Sequence, residues 1–380
     1  MPPTIYSGQE STYTGAVLVV RQLENHLQML DPDQFPLLQA VGLNSYPYTL
    51  ENTRYEWQMD YLNPITDTAA AAVQAGDLAI TVTDADRFAN MDLVLIDSEI
   101  VQVTELGAAN TIVVTRGFGG TVAAAHDLGV TLYRLGSALP EGSAPGWAQQ
   151  VQTVQPFNFT QIWDAMAEAT GTQLATKKHG PDDTLAYNID KRMRELYMMM
   201  ERAYLYNVRF QPQTNTGRST GGLDFFISDQ RDLLGAAFTY TDMLNAAEDL
   251  FLRFGLENGP RQLWMNSNQM RQISQWNVAS TWHERAETAT GTIVRTLVTD
   301  FGTFSVHLDH LIKPDEIWLL NFEHDQCAPL SGRGFHTIDA SVPGVDAKRE
   351  RIIGEYGFVV KGENGVDPGP QIKFFGADLV

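Results

Sequence analysis

The residues that could do chemistry in this chain are histidines and acidic side chains of its C-terminal half. Residues 283–287 (HERAE) resemble the helical zinc-protease motif, but Glu287 stands where a second histidine must hold the metal, so a polar loop is the preferred interpretation. His307 and His310 are three apart on a predicted strand and therefore face opposite ways, which is a poor geometry for one ion. His307 and Asp309 share a face, where a cross-strand hydrogen bond is expected. We predict that the chain holds no metal.

A nucleophilic site would need Cys327 or Ser331 beside a base, and His324 and Asp325 lie close in sequence. A cysteine–histidine dyad requires contact in space, which spacing alone does not establish. Cys327 is the only cysteine, so no disulfide can form within the chain, and a buried, inert thiol is the expectation.

Two glycine-rich stretches invite comparison with phosphate-binding loops. Residues 115–121 (TRGFGGT) and 217–224 (GRSTGGLD) both lack the Gly-Lys-Ser/Thr ending of such a loop. The first follows predicted strands without opening a clear helix, which indicates a hairpin, and the second indicates a turn into a further domain. We therefore predict no catalytic residue and no cofactor.

Composition limits the possible partners. The net charge of −20 argues against direct nucleic-acid binding, because that binding needs clustered Lys and Arg. The charged share of 19% is below the roughly 25% of ordinary soluble domains, which suits a chain that buries much surface against its own copies. The N-terminal sequence lacks signal-peptide features, and no apolar run approaches the ~20 residues that span a bilayer, so no membrane partner is expected.

The elements that would position any site are clearest from Gln155 to Arg209. This stretch predicts a strand-like stem, a short polar turn and one long amphipathic helix. Asp190 and Arg194, four apart, predict a surface ion pair of about 0.3 kcal/mol. The apolar positions of the helix are spaced by three or four: Leu185, Ile189, Met193, Leu196, Met200 and Ala203. By periodicity alone this is a core helix.

Alternating residues predict a strand from Arg54 to Leu62, with Tyr55, Trp57 and Met59 on one face. A weaker extended segment, Val151 to Gln155, could pair with it as a long hairpin. Between the two lies a β-rich insert, residues 72–137, with linker-like flanks at residues 68–71 and 140–143. Its predicted strands are residues 78–82, 93–96, 100–103 and 111–114.

The remaining elements are predicted individually. An α/β pattern follows the long helix up to about Leu330. The predicted helices are Ala16–Leu30, Phe35–Val41 and Met243–Phe254, the last capped by Thr241 and Asp242. The predicted strands are Leu263–Asn266, Phe304–Leu308, Glu316–Leu320, Arg351–Val360 and Gln371–Phe375, of which the last two return to the long helix.

One family resembles this order of motifs. The run 158–162 (NFTQI), then 169–173 (ATGTQ), then Gly180 and a helix with Glu195 and Glu201 resembles the major capsid proteins of tailed bacteriophages. The resemblance is to a subfamily of the Hong Kong ninety-seven capsid fold, and it extends from about Ser45 to the C-terminus apart from the insert. It implies an α+β fold and a shell subunit without an active site.

The resemblance also implies a division of the chain. The expected parts are an N-terminal arm (1–45), an extended β-hairpin (46–71 and 138–160) with the inserted β-rich domain (72–137), a peripheral domain (161–212 and 335–380) with a spine helix (182–207), and an axial α/β domain (213–334). The arm is expected to reach along neighbouring subunits, and we infer that the insert braces them. The residues expected to serve structure and assembly are Tyr55, Trp57, Met59, Leu185, Ile189, Met193, Leu196 and Met200.

The partners that the resemblance implies are copies of the same chain, arranged as hexamers and pentamers of an icosahedral shell. Scaffold, portal and decoration proteins are further expected partners, and the shell would be assembled in the host cytoplasm around double-stranded DNA without sequence-specific binding. Several capsids of this fold form isopeptide links from a lysine of the extended hairpin. Here the first lysine is Lys177, so that hairpin has no donor.

Two alternatives remain open from the sequence. An encapsulin-type nanocompartment shares the fold and would package an enzyme, although the insert and the N-terminal segment favour the phage capsid. An α/β hydrolase or metal enzyme belongs to a different class, and it lacks a credible triad or ligand set.

Overall fold

The computed structural model describes residues 34–42, 49–142, 151–176, 183–211, 216–255, 262–276, 281–284, 293–322, 325–363, 365 and 369–378. The predicted helix Ala16–Leu30, residues 285–287 of the zinc-like segment and His324 lie outside these residues.

The described residues form helices and strands in a mixed order. The helices are α1 Pro36–Val41, α2 Gly171–Ala175, α3 Thr184–Tyr206, α4 Leu223–Phe226, α5 Tyr240–Phe254 and α6 Ser267–Ser274. The strands are β1 Arg54–Glu56, β2 Thr66–Thr68, β3 Ala79–Thr81, β4 Asp92–Ile96, β5 Glu99–Gly107, β6 Thr111–Thr115, β7 Thr131–Ser137, β8 Phe157–Phe159, β9 Gln161–Thr170, β10 Gln230–Asp232, β11 Gln262–Met265, β12 Thr281–Glu284, β13 Ile293–Thr299, β14 Gly302–Leu308, β15 Ile317–Leu320, β16 Gln326–Pro329, β17 His336–Asp339, β18 Ala347–Val359 and β19 Ile372–Phe375.

The chain divides into two compact units. The first unit is Met1–Trp57 with Pro156–Val380, and the second unit is Gln58–Gln155. In the first unit β1 pairs antiparallel with β8, Arg54 opposite Phe159. In the second unit Met59 pairs with Val154. The return leg of the predicted hairpin therefore centres on residues 154–159 rather than on 151–155.

The spine helix α3 runs from Thr184 to Tyr206, close to the predicted 182–207. Its N-cap is Asp183, whose Oδ1 accepts the N–H groups of Leu185 (2.9 Å) and Ala186 (3.0 Å). The predicted pair of Asp190 and Arg194 is present at 3.0 Å.

The axial sheet has the strand order β10-β19-β15-β11-β14-β13-β12. It packs on α5 and α6 around a core that includes Met243, Leu250, Leu263 and Phe374. Helix α5 is capped by Thr239 in a reciprocal capping box with Asp242, and not by Thr241 and Asp242 as predicted. The sequence predicts this N-cap two residues too late, because Thr241 and Thr239 are the same residue type and suit an N-cap equally well.

Strand β19 lies beside Tyr206 at the end of the long helix, but it joins a different sheet from strand β18. Strand β19 pairs with β15, Ile317 opposite Phe374, so it belongs to the axial sheet rather than to residues 335–380 of a peripheral domain. The alternate residues Ile372 and Phe374 are buried in the axial core. This burial determines which sheet β19 joins, although β18 is nearer to it along the chain.

The stem sheet consists of β9, β18, β17 and β16. Strand β18 pairs with β9 over ten positions, from Ala347 opposite Thr170 to Tyr356 opposite Gln161. Strand β16 also joins this sheet, Cys327 opposite Phe358, although residues 213–334 were predicted to be axial. The one long strand β18 therefore pairs with two strands that shortly precede it, β16 and β17, and with the distant strand β9.

The second unit contains a small closed sheet, the insert barrel (Thr66–Ser137). Its strand order is β2-β7-β4-β5-β6-β3, and a bridge between Ala69 and Val82 joins the two outer strands. The barrel begins at Thr66, six residues before the predicted start of the insert, because β2 pairs with β7. Closure removes free strand edges, which an isolated small sheet would expose. The interior is apolar and includes Ile80, Phe88, Val94, Val101, Ile112 and Leu132.

A buried ion pair explains the glycine-rich run 115–121. Glu99 is buried, and Arg116 binds its two oxygens at 2.6 and 2.7 Å. Gly117, in the left-handed conformation (φ 63°), donates its N–H to Glu99 at 3.1 Å. Burial alone would raise the pKa of Glu99, but Arg116 and the other donors lower it to about 2. The run binds an internal carboxylate, and it contains a short 3-10 turn, Phe118–Gly120, where a hairpin was predicted.

We expect the second unit to fold by itself. A fragment of residues 58–155 should show one cooperative thermal transition, because the barrel has its own apolar interior and pairs its own edge strands. Circular dichroism of the purified fragment would measure this. A Glu99→Leu fragment should lose the transition, since Arg116 would keep a buried, unpaired charge. A wild-type fragment that is unfolded at 10 °C would contradict the prediction.

Candidate functional site

The stem motif places three polar side chains at the end of the spine helix. Asn158 is fully buried. Its Nδ2 donates to the carbonyls of Gly221 (3.0 Å) and Phe358 (2.8 Å), and its Oδ1 accepts the N–H of Gly221 (2.8 Å). One side chain thus joins the stem, the glycine-rich loop and β18. In the sequence, Asn158 could be recognised as important only because it begins the motif that resembles the capsid family. Periodicity assigns no role to an isolated asparagine.

Thr160 and Gln161 continue this network. Thr160 donates to the buried carboxylate of Glu355 (2.6 Å), which Arg218 also contacts. Burial alone would raise the pKa of Glu355, but hydrogen bonds from Thr160 and Arg218 and the charge of Arg333 hold it below its usual value. The Oε1 atom of Gln161 accepts a hydrogen bond from Nδ2 of Asn207 (2.8 Å), and Asn207 is the residue that follows α3.

The glycine-rich loop 217–224 caps the spine helix. The N–H of Gly222 donates to the carbonyl of Asn207 at 2.8 Å. A Cβ at Gly222 would lie 2.5 Å from the carbonyl oxygens of Ala203 and Tyr204, so only glycine allows this approach. The loop is therefore a structural contact, as the lack of a P-loop lysine indicated.

The predicted face of the spine helix is only partly buried. Leu185, Leu196 and Met200 are buried, whereas Ile189 and Met193 are partly exposed. The helix turns a wider surface inward near its end, where Tyr204 and Leu205 are also buried. Periodicity identified Leu185, Leu196 and Met200 on this face and missed Tyr204 and Leu205.

The predicted residues of the hairpin pack inside their own subunit. Tyr55 is buried and donates its hydroxyl to the carbonyl of Phe358 at 2.7 Å. Trp57 is buried with its ring centroid 5.4 Å from that of Phe226. Met59, in the second unit, is partly exposed.

Helix α1 docks on the spine helix through a buried acid. The N–H of Leu38 donates to Oε2 of Glu201 at 2.7 Å, and the rings of Phe35 and Tyr197 lie 5.0 Å apart. Residues 36–41, predicted to belong to the N-terminal arm, therefore contact their own subunit, because Leu37 and Leu38 find full burial there.

Glu201 has a second acid as its neighbour, Asp309, and both are buried. Burial first, and then repulsion by Asp309, raise the pKa of Glu201 to about 9. Burial also raises the pKa of Asp309. The raised pKa of Glu201 favours its uncharged form at neutral pH, and its Oε2 accepts the N–H of Leu38, so this acid joins α1 to α3.

Among the residues that the structure describes, those singled out for chemistry do not form a reactive site. Burial raises the pKa of the Cys327 thiol, which keeps it protonated and inert. Asp325 instead accepts the hydroxyl of Tyr204 at 2.9 Å. His307 stacks on Trp264 of the neighbouring strand and lies 3.1 Å from Oγ of Ser305 in its own strand, where a cross-strand hydrogen bond was expected. Asp309 follows the end of β14 and accepts the N–H of Leu311.

Within the described ranges, no group of three or more His, Cys, Asp or Glu side chains could hold a metal ion. None of the helices in the part of the chain that the structure describes is long and apolar enough to cross a membrane. His283 and Glu284, predicted to lie in a polar loop, belong to strand β12 (Thr281–Glu284) at the edge of the axial sheet.

Comparison with protein families decides the identity. The family model of the SU10 major capsid protein matches residues 5–366. The chain belongs to the SU10 major capsid protein family. It is therefore a structural protein of a virion capsid and not an enzyme. This family match supports the hypothesis of a phage capsid protein over the two alternatives left open by the sequence, an encapsulin and an enzyme. No curated protein matches this capsid protein significantly.

Solved structures show the same fold. The capsid of a native GTA particle matches with a TM-score of 0.55 and 10% identity, covering 97% of this chain and 100% of the other. Mycobacterium phage Bobi matches with a TM-score of 0.51 and 9% identity, covering 98% and 99%. The capsid of Myoviridae phage XM1 matches with a TM-score of 0.50 and 10% identity, covering 94% and 96%. The expected α+β fold of the Hong Kong ninety-seven type is confirmed.

We predict that Asn158→Ala destabilises this capsid protein by about 3–5 kcal/mol, because the buried N–H and carbonyl of Gly221 lose their partner, and the carbonyl of Phe358 keeps only the hydroxyl of Tyr55. Urea unfolding measures the change. Asn188→Ala, at a half-buried helical asparagine outside this network, is the control and should change stability by less than about 0.5 kcal/mol. Equal effects of the two substitutions would contradict the role given to Asn158.

The pKa of Glu201 predicts a loss of stability with rising pH. A group whose pKa is about 9 in the folded state and near 4.5 in the unfolded state binds more protons when folded, so its contribution declines between these values. The decline is about 1.4 kcal/mol per pH unit for one proton. Glu201→Gln should therefore flatten the stability profile between about pH 6 and 9.

Denaturant titrations across this pH range provide the measurement. Glu195→Gln, on the same helix but partly exposed, is the matched control and should keep the wild-type slope. A Glu201→Gln profile parallel to the wild type would contradict the raised pKa of Glu201.

Proposed function

We propose that this capsid protein assembles into a closed icosahedral shell of hexamers and pentamers around the double-stranded DNA of a tailed phage. The observation that carries the proposal is the family match over residues 5–366, together with a fold shared with capsids over 94% or more of the chain. Closed symmetry repeats many modest contacts, so assembly should be steep in concentration. We place its assembly in the host cytoplasm.

The charge of the chain supports a container rather than a reader of DNA. The net charge is −20, so close contact with phosphate would be repulsive. Many of its arginines are held by acids of the same chain. Arg351 binds Asp164 at 2.7 Å, and in the second unit Arg116 and Arg134 bind Glu99 and Asp92 at 2.6 Å each. Enclosure without sequence-specific binding is the function that suits this surface.

The division of labour among the parts is also proposed. Residues 1–33 would serve as the arm, the hairpin legs 54–59 and 154–159 would meet a neighbour, and the insert barrel would brace adjacent subunits. Large apolar side chains on the outside of the barrel support the last point, since Ile65 is 71% exposed and Val122 is 80% exposed. Tyr55, Trp57, Leu185, Leu196 and Met200 would act in assembly indirectly, by keeping their subunit rigid. Met59, Ile189 and Met193 remain available for contacts.

Scaffold, portal and decoration proteins complete the proposed set of partners.

Electron microscopy and sedimentation of the purified protein, alone and coexpressed with its scaffold, test the proposal. Closed particles with fivefold and sixfold rings are the expected result. A protein that stays monomeric in both preparations at high concentration would refute it.

A deletion tests the bracing role separately. Replacing Thr66–Ala138 with a short Gly/Ser linker should leave the first unit folded, and its shells should dissociate at lower temperature than the parent. The control is Glu105→Gln, a change of one exposed barrel residue, which should leave shell stability unaltered. Deleted shells as heat-resistant as the parent would show that the barrel does not brace the shell.

A further inference from the structure

A lysine lies buried between two carboxylates where β19 passes the end of the spine helix. Lys373 is 5% exposed. Its Nζ lies 2.5 Å from Oδ1 of Asp224, in α4, and 3.2 Å from Oε1 of Glu316, the residue before β15. All three belong to the first unit, but they come from segments separated by up to 149 positions.

Aromatic rings surround the amine. Its Nζ lies 4.9 Å from the ring centroid of Trp318, and 5.9 Å from those of Tyr206 and Phe375. Trp318 is directly opposite Lys373 in the β15–β19 pair, so the backbone holds this arrangement. The rings shield the lysine and Glu316 from bulk water, while the Asp224 side chain remains 33% exposed. The carboxyl of Asp224 is therefore in contact with solvent, whereas the amine of Lys373 is not.

The three side chains have the functional groups that amide formation requires. A lysine amine is a nucleophile, an aspartic carboxyl carbon is an electrophile, and a second carboxylate can carry protons between them. Glu316 is held in place by Lys313, whose Nζ lies 3.1 Å from the same Oε1. Gln230 donates its Nε2 to Oδ1 of Asp224 at 3.4 Å, where negative charge would develop during attack.

We propose that Lys373 and Asp224 become joined by an intrachain isopeptide bond, with Glu316 as the proton carrier. Glu316 removes a proton from the ammonium group, and the nitrogen lone pair forms a bond to Cγ of Asp224. Glu316 then passes this proton, and a second one from the attacking nitrogen, to Oδ2. The Cγ–Oδ2 bond breaks with its electron pair on oxygen, water leaves, and Glu316 is unchanged. The step consumes no oxidant, reductant or other reactant.

Proximity lowers the entropic part of the barrier to this reaction. The backbone fixes the amine beside the carboxyl, so the entropy of bringing them together is already lost on folding. The product would tie the C-terminal strand to α4, directly after the loop that caps the spine helix. Because the bond lies within one chain, it needs no neighbouring subunit, and boiled particles would still run as single chains. It is therefore independent of the proposed shell assembly and of the hairpin, which has no lysine.

The mass of the unfolded full-length chain tests the proposal. We expect the wild-type protein to be lighter by one water than its 42.2 kDa sequence requires, after allowance for any loss of the first methionine. Trypsin should fail to cleave after Lys373, and the digest should contain a branched peptide that joins the fragments carrying Asp224 and Lys373.

Substitutions assign the roles. Lys373→Arg keeps the charge but its guanidinium is not a nucleophile, so the water loss should disappear. Glu316→Gln should abolish or greatly slow the loss, whereas Lys313→Arg, the matched control on the same carboxylate, should retain it. Wild-type protein of full mass that is cleaved freely after Lys373, both before and after assembly, would overturn the proposal, whether or not the variants fold. A branch to Glu316 instead of Asp224 would overturn the assignment.

Discussion

The approach of Gly222 to the end of the spine helix is the contact on which the first unit depends. A side chain at Gly222 would overlap the carbonyl oxygens of Ala203 and Tyr204. The N–H of Gly222 donates a hydrogen bond to the carbonyl of Asn207. With the loop fixed at this distance, Gly221 offers both its N–H and its carbonyl to Asn158. Stem, loop and β18 then share one set of hydrogen bonds, and none of them can shift without leaving buried backbone groups unpaired.

Protonated acids form a second constraint within the same unit. Burial raises the pKa values of Glu201 and Glu363 to about 9 and that of Asp325 to about 7. At neutral pH the first two are uncharged, so the folded subunit is less negative than the formal −20 by about two charges. Neutral carboxyls can donate as well as accept hydrogen bonds, which lets a strongly acidic chain pack acids at its junctions. The cost is a dependence on proton concentration that surface acids do not have.

Local pattern predicted the elements of this fold better than their partners. The spine helix was predicted within two residues at its start and one at its end, because an apolar stripe and the acidic residues at its start are local signals. The destination of β19 was missed, since alternation of Ile372 and Phe374 indicates a buried face without indicating which core receives it. The same limit applies to the site. The motif around Asn158 could be noticed by resemblance, whereas the pairing of Glu201 with Asp309 joins residues more than a hundred positions apart and leaves no periodic trace.

The insert barrel shows why an entire domain can sit within a hairpin. Its first and last strands pair with each other, Thr66 opposite Tyr133, so the chain enters and leaves the barrel at neighbouring points. An insertion with adjacent ends adds little loop-closure entropy to the structure that receives it. Closure through Ala69 and Val82 also leaves the barrel without an unpaired edge that could join the sheets of another copy. Contacts of the barrel must then be made by outward side chains, which can vary in sequence without disturbing either core.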